Sequence, residues 1–216
     1  MDEKIYSLIK IKAQDASRLN GACKQGYHDL LKAENIGQLC RVLEKYWGDV
    51  LGMHRQSTFA IMEELYPANK DEFNQFGIFY NENAGHGKVI ANDIEISVRG
   101  DAKVWAFGHS VIHLSEKSNC IAKDTAKVIA KDYTHAHLLE QSTGEAYGRS
   151  MVNVSGNAVV KAYEACSITA GEKAKVYAYG WNKIMAVGES EVFAPSKYKI
   201  KILGQAKLTL KKPEEL

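Results

Sequence analysis

Residues 156–179 read GNAVVKAY EACSITAG EKAKVYAY, three consecutive eight-residue units built to one grammar. Each opens on Gly or Glu, has a small residue at its third position, Val or Ile at its fifth and Ala at its seventh. The same phase runs back to NDIEISVR at residues 92–99 and on to GQAKLTLK at 204–211, giving fifteen units without an insertion or deletion. Across them the first position is Gly seven times and Asp or Glu six times. Those residues favour turns, Gly through its backbone freedom and Asp through local hydrogen bonding. The third position is small in twelve units, and the seventh is Ala in nine. Alternation at positions 3, 5 and 7 is the period-two pattern of a short strand with one buried face.

A strand this short cannot bury a core alone. Stacked as successive coils, such strands share a core and pair their backbones with the neighbouring coil. The expected fold is therefore a mainly β protein, a β-solenoid over residues 92–211. The number of strands per coil is tested by asking which stride keeps outward positions alike. A stride of 24 groups Lys103, Lys127, Met151, Lys175 and Lys199 in one column, whereas a stride of 16 aligns Tyr147, Tyr163 and Tyr179 but scatters the lysines. The lysine column favours a three-sided β-helix of fifteen strands in five coils, with a two-sided solenoid as the alternative.

The preceding residues, 1–91, have a different pattern. NIGQLCRVLEKYWGDVLG at 35–52 puts Ile36, Leu39, Cys40, Leu43, Trp47, Val50 and Leu51 on one helical stripe, with Asn35 and Gln38 as a capping pair. A second helix is expected from His54 to Tyr66, stopping before Pro67. Residues 4–12 read as helix or strand, and residues 67–91 as loop around FGIFY. A solenoid exposes its terminal coil as an edge that invites pairing, so this helical segment is expected to be a cap, a partner-binding head, or both. Residues 212–216 are a short tail.

Under the three-sided reading, one face displays Lys103, Trp105, Phe107, Lys127, Lys131, Arg149, Lys173, Lys175, Tyr177, Tyr179, Lys197, Lys199 and Lys201. Basic side chains interleaved with aromatics suit phosphates and bases, or an acidic protein surface. The plainer account is that lysine protects an exposed sheet from aggregation. The adjacent face would stack His113 over His137, close enough to share a transition metal, although no carboxylate or thiol stands beside them; a plain surface histidine ladder is the competing account. No cofactor is expected. The acidic first-position residues Glu116, Asp124, Asp132, Glu140, Glu164 and Glu172 suggest the carboxylate pairs of polysaccharide-cleaving β-helix enzymes, but turn formation explains them better. GHGKV at 85–89 is too short for a phosphate loop and leads into the first strand.

The chain has 216 residues, 45% of them hydrophobic, and 28 basic against 26 acidic residues. Near-neutral charge by itself demands neither nucleic acid nor an anionic membrane. Cys23, Cys40, Cys120 and Cys166 are widely spaced, which argues against a zinc cluster and a disulfide framework. With no signal-peptide core and no run of 18 apolar residues, a soluble cytoplasmic protein without a membrane partner is expected.

Octads such as GNAVVKAY, EKAKVYAY and GESEVFAP resemble those of uncharacterised octad-repeat proteins of bacterial genomes and prophages. The architecture is also similar to that of bactofilins, although the long helical segment departs from their short tails. The resemblance covers residues 92–211 and implies a β-helix of bacterial or phage origin. It carries no residue-level function. The leading expectation is a non-enzymatic binding module for a protein or nucleoprotein partner, with nucleic acid as a further candidate for the basic face. If phage-encoded, it would be an inhibitor of a host defence effector. A self-assembling structural protein is the second reading, opposed by Lys211, Lys212 and Pro213 at the final strand. A carbohydrate-active enzyme is the third.

Overall fold

The computed structural model describes residue 7 and residues 24–52 and 55–215. The chain divides into two compact units, Met1–Tyr80 and Asn81–Leu216. The ambiguous segment at 4–12 (Ser7 apart), Cys23 and His54 lie outside the described residues.

In the first unit, α1 (Lys24–Leu31) is followed by α2 (Ile36–Lys45), α3 (Trp47–Gly52) and α4 (Arg55–Gln75), with a short strand β1 at Ile78–Tyr80. Asn35 caps α2 by accepting the Gln38 backbone N–H at 2.9 Å. The Gln38 side chain accepts from the N–H of Glu34 at 2.7 Å, so the capping pair is reciprocal but reaches one residue further back than a standard box. Ile36, Leu39, Cys40 and Leu43 are buried along one stripe. The helix expected as continuous to Gly52 breaks at Tyr46, whose backbone leaves the helical region (φ −111, ψ 24). The Tyr46 hydroxyl donates to Asp29 of α1 at 2.7 Å, and Lys45 pairs with the same carboxylate at 2.9 Å.

Pro67 does not stop the next helix as expected. The helix continues past Pro67 to Gln75 with one non-helical residue, Asn69 (φ −128, ψ 25). Proline removes a donor and crowds the preceding turn, which produces a kink. The Asn69 side-chain amide donates to the Leu65 carbonyl at 2.8 Å, supplying that carbonyl with a donor across the kink. Phe73, beyond the kink, is fully buried, so burial carries the helix through a sequence break. Residues 67–91, expected as loop, thus hold the end of α4, β1 and β2.

The second unit is a β-solenoid. Its strands are β2 (Lys88–Asn92), β3 (Glu95–Val98), β4 (Lys103–Phe107), β5 (Val111–Leu114), β6 (Asn119–Ala122), β7 (Lys127–Ala130), β8 (His135–Leu138), β9 (Thr143–Ala146), β10 (Met151–Val154), β11 (Val159–Ala162), β12 (Ser167–Ala170), β13 (Lys175–Ala178), β14 (Lys183–Ala186), β15 (Glu191–Ala194), β16 (Ile200–Ile202) and β17 (Lys207–Leu210). Even-numbered strands pair in parallel with even, and odd with odd. The odd-numbered sheet has eight strands, β3 to β17, one from each turn of the solenoid. Asn83, Ala84 and Gly85 run along its first edge: Ala84 bridges to Val98, and the Ser97 N–H donates to the Asn83 side chain at 2.7 Å.

The three-sided coil is therefore corrected to a two-sided one. Partners lie 16 residues apart, as in Val159 with Thr143 and Lys175 with Val159. The corners explain why. At Ser110, Ser118, Thr134 and Ser142, the third-position N–H donates to the carbonyl three residues earlier at 3.1–3.3 Å. A turn closed in this way reverses the chain, and two reversals complete a coil. The first-position residue takes a left-handed conformation at nearly every corner, for example Gly108 (φ 61), Asp124 (φ 55) and Glu172 (φ 52). The small third-position residue has a second purpose at four serines, while Ser150 donates to Cys166 Sγ at 3.4 Å. The hydroxyls of Ser110, Ser118, Ser142 and Ser190 donate to the same carbonyl at 2.7–2.8 Å, which satisfies them inside the core.

The lumen is filled by the fifth and seventh positions, with Val128, Val160, Ile168, Val176 and Ile184 almost fully buried. Large and small residues alternate through it. A Cβ placed on Gly144 would stand 2.5 Å from Cδ1 of Leu138, so the glycine makes room for the leucine. Cys120 and Cys166 are buried here and Cys40 in the first unit; all are free thiols. Burial raises the pKa of each, that of Cys40 to about 12, which leaves them unreactive. No helix among the described residues is long and apolar enough to cross a membrane.

Candidate interaction face

Reversal at each corner separates residues that the 24-residue stride would have gathered. Lys127 lies on β7, Lys175 and Tyr177 lie on β13, and Lys173 is in the turn before it, all belonging to the odd-numbered sheet. Lys103 and Trp105 lie on β4 of the even-numbered sheet, while Arg149 and Lys199 sit in the turns leading into β10 and β16. The expected single basic-aromatic face is thus divided between two sheets. Phe107, also expected on that face, is 1% exposed and belongs to the core.

The histidine pair is corrected in the same way. His113 is on β5 and His137 on β8, in different sheets. His113 Nε2 instead meets Glu95 Oε1 at 2.9 Å. His137 neighbours His135 on its own strand. Among the described residues, no group of three or more His, Cys, Asp or Glu side chains is placed to hold a metal.

The odd-numbered sheet assembles an aromatic face in place of the lysine ladder. Tyr147, Tyr163 and Tyr179 directly follow β9, β11 and β13 and stack with ring centroids 4.8 Å apart and planes inclined at 7° and 11°. Beside them Tyr177 stacks on Phe193 at 5.0 Å and 13°. The spacing is that of adjacent parallel strands, so the ladder follows directly from the 16-residue register. Lys211 Nζ lies 5.4 Å from the Phe193 centroid. These rings are half-buried.

The charges on this face are arranged with the rings. Lys127 Nζ contacts Glu145 Oε1 at 2.9 Å, and the Tyr147 hydroxyl donates to Oε2 of the same carboxylate at 2.9 Å. These hydrogen bonds, that from Lys127 foremost, hold the Glu145 pKa below its ordinary value. Burial, reinforced by the bond to Glu145, pushes the Tyr147 hydroxyl up to about 12, so it remains a donor. Lys175 pairs with Glu191 at 3.5 Å. Lys161, exposed on β11, stands in register between Glu145 and Tyr177. Tyr147, Tyr163, Phe193 and Lys161 were not among the residues expected on the face, although the stride that gathers them was present in the tyrosines spaced 16 apart.

The corner carboxylates have a structural task. Glu116, Asp124, Asp132, Glu140, Glu164 and Glu172 accept the backbone N–H of the corner one coil earlier, at 2.7–3.1 Å. No model of a protein family, no curated protein and no solved structure matches the chain.

Proposed function

We propose that this chain is a non-catalytic binding module whose solenoid presents the odd-numbered face to a protein partner with an acidic, partly apolar surface. The supporting observation is the aromatic ladder of Tyr147, Tyr163 and Tyr179 beside Tyr177 and Phe193, held rigid by stacking. Tyrosines fixed in place offer a large amphipathic contact area at little entropic loss, and such residues dominate protein interfaces. Lys161, Lys207 and Lys211 supply the positive rim. Corner carboxylates already bonded to backbone amides favour binding over carbohydrate cleavage.

A nucleic-acid partner is the second reading, and two features weigh against it. The tyrosines cover one another's faces, so few ring faces are open for base stacking. Lys127 and Lys175 are each engaged by a carboxylate, which weakens them as phosphate contacts. The helical segment is retained in the proposal as a second docking element, and the cytoplasm as the compartment.

The test is capture by the immobilised full chain from a lysate of the organism that encodes it, with and without nuclease. A protein retained after nuclease, lost with Tyr163→Ser/Tyr177→Ser and kept with Lys103→Ala/Lys183→Ala on the other sheet, is the expected result. Loss of all bound material on nuclease treatment, or equal retention by both variants, contradicts it.

A further inference from the structure

The strand β8 carries His135 and His137 two residues apart, and the alternation of a strand turns both outward on the even-numbered sheet. Their ring centroids are 4.8 Å apart and their planes are inclined at 39°. An ion about 2.0 Å from one nitrogen of each ring would lie about 3 Å from each centroid, which sets two imidazoles on one ion roughly 4–6 Å apart. The observed separation falls inside that window without any backbone movement.

The surroundings define which ion fits. In register with His135 on the next strand is Met151, and with His137 is Asn153. On the other side the partners are Asn119 and Ile121. The Asn153 amide nitrogen lies 3.2 Å from His135 Nε2. Donation from that amide occupies the lone pair on Nε2, so an ion bound at that nitrogen would displace Asn153. None of these register neighbours is a carboxylate. Met151 is 49% exposed on the strand beside His135.

We infer that His135 and His137, with the Met151 thioether as third donor, form a surface site for monovalent copper. Two neutral imidazoles and a soft sulfur match Cu(I), whereas divalent hard cations require oxygen ligands that this strand does not provide. The site stands on the sheet opposite the aromatic face and is independent of the proposed partner.

The experiment is an anaerobic titration of the full chain against Cu(I) held by the chromogenic chelator bicinchoninate. Cys23→Ser is present in every sample, because that thiol would compete. The expected result is removal of one equivalent of Cu(I) from the chelator, abolished in His135→Asn/His137→Asn and weakened at least tenfold in Met151→Leu, with thermal melts unchanged. No transfer of copper, or transfer undiminished in the double histidine variant, overturns the site. Displacement of bound Cu(I) by equimolar Zn(II) overturns the assignment of the ion.

Discussion

The carboxylate of Glu172 accepts the backbone N–H of Gly156 at 2.7 Å, across one full coil of the solenoid. Glu172 is itself in the left-handed region at φ 52, where a side chain is disfavoured. Two opposed effects therefore meet at one residue, and they can be separated. Glu172→Ala keeps the backbone strain and removes the acceptor, and is expected to destabilise the protein by about 1 kcal/mol. Glu172→Gly removes the acceptor but relieves the strain, recovering roughly 1 kcal/mol. Chemical denaturation should place the glycine variant above the alanine variant; equal stability of the two would remove the backbone strain from the account, and an alanine variant as stable as the parent would remove the corner carboxylate.

Tyr163 is stacked on both sides, by Tyr147 and Tyr179. Aromatic contacts of this kind contribute about 0.5–1.5 kcal/mol each, so Tyr163→Ala should lose roughly 1–3 kcal/mol. Tyr133, 62% exposed in a turn, is the control. Its replacement by Ala should change stability by less than about 0.5 kcal/mol. Thermal unfolding of both variants makes the comparison.

Gly144→Ala adds a methyl group 2.5 Å from Leu138 Cδ1. Overpacking of this kind destabilises by about 1–3 kcal/mol. Leu138→Val in the same chain opens space beside it, so the double variant should be more stable than the sum of the single losses predicts. Strict additivity would show that the two side chains do not compete for one volume.

Acid stability follows from the lowered pKa of Glu145. A carboxyl whose folded pKa is depressed binds fewer protons folded than unfolded, so its contribution is full above its ordinary value of 4.5. That contribution is lost as pH falls through the lower folded value. The Lys127–Glu145 pair should therefore weaken only in acid, and Glu145→Gln should flatten the fall in stability below about pH 4.5. An acid limb that is identical in the two proteins would contradict this.

The strands were legible because each octad repeats a turn residue and a period-two core pattern, as GNAVVKAY shows at β11. The coil was not, because likeness of outward residues does not fix which strands stack. A column that sets Lys103 beside Lys127 and Lys175 beside Lys199 would place like charges one strand apart, which is unfavourable. In the two-sided coil Lys175 instead has Val159 and Glu191 as register partners. Tyrosines behave oppositely, since stacking them is favourable, and Tyr147, Tyr163 and Tyr179 carried the correct stride. At Pro67 local propensity indicated a stop, but burial of Phe73 beyond it and the Asn69 amide outweighed that signal. The His135–His137 pair was visible as neighbours in sequence, yet its register with Met151 depends on the stride and could not be read without it.

The two-sided coil underlies the ladder, the divided lysines and the histidine site, and a pair of nitroxide labels tests it most directly. With Cys23→Ser in the background and the remaining described thiols buried, labels at Thr143→Cys and Val159→Cys stand in register on adjacent strands. Labels at Thr143→Cys and Ser167→Cys lie on β9 and β12, in different sheets. The account predicts a spectrum broadened by spin exchange for the 143/159 pair and a sharp one for the 143/167 pair. Broadening at 143/167 with a sharp 143/159 spectrum would restore the 24-residue coil and contradict it.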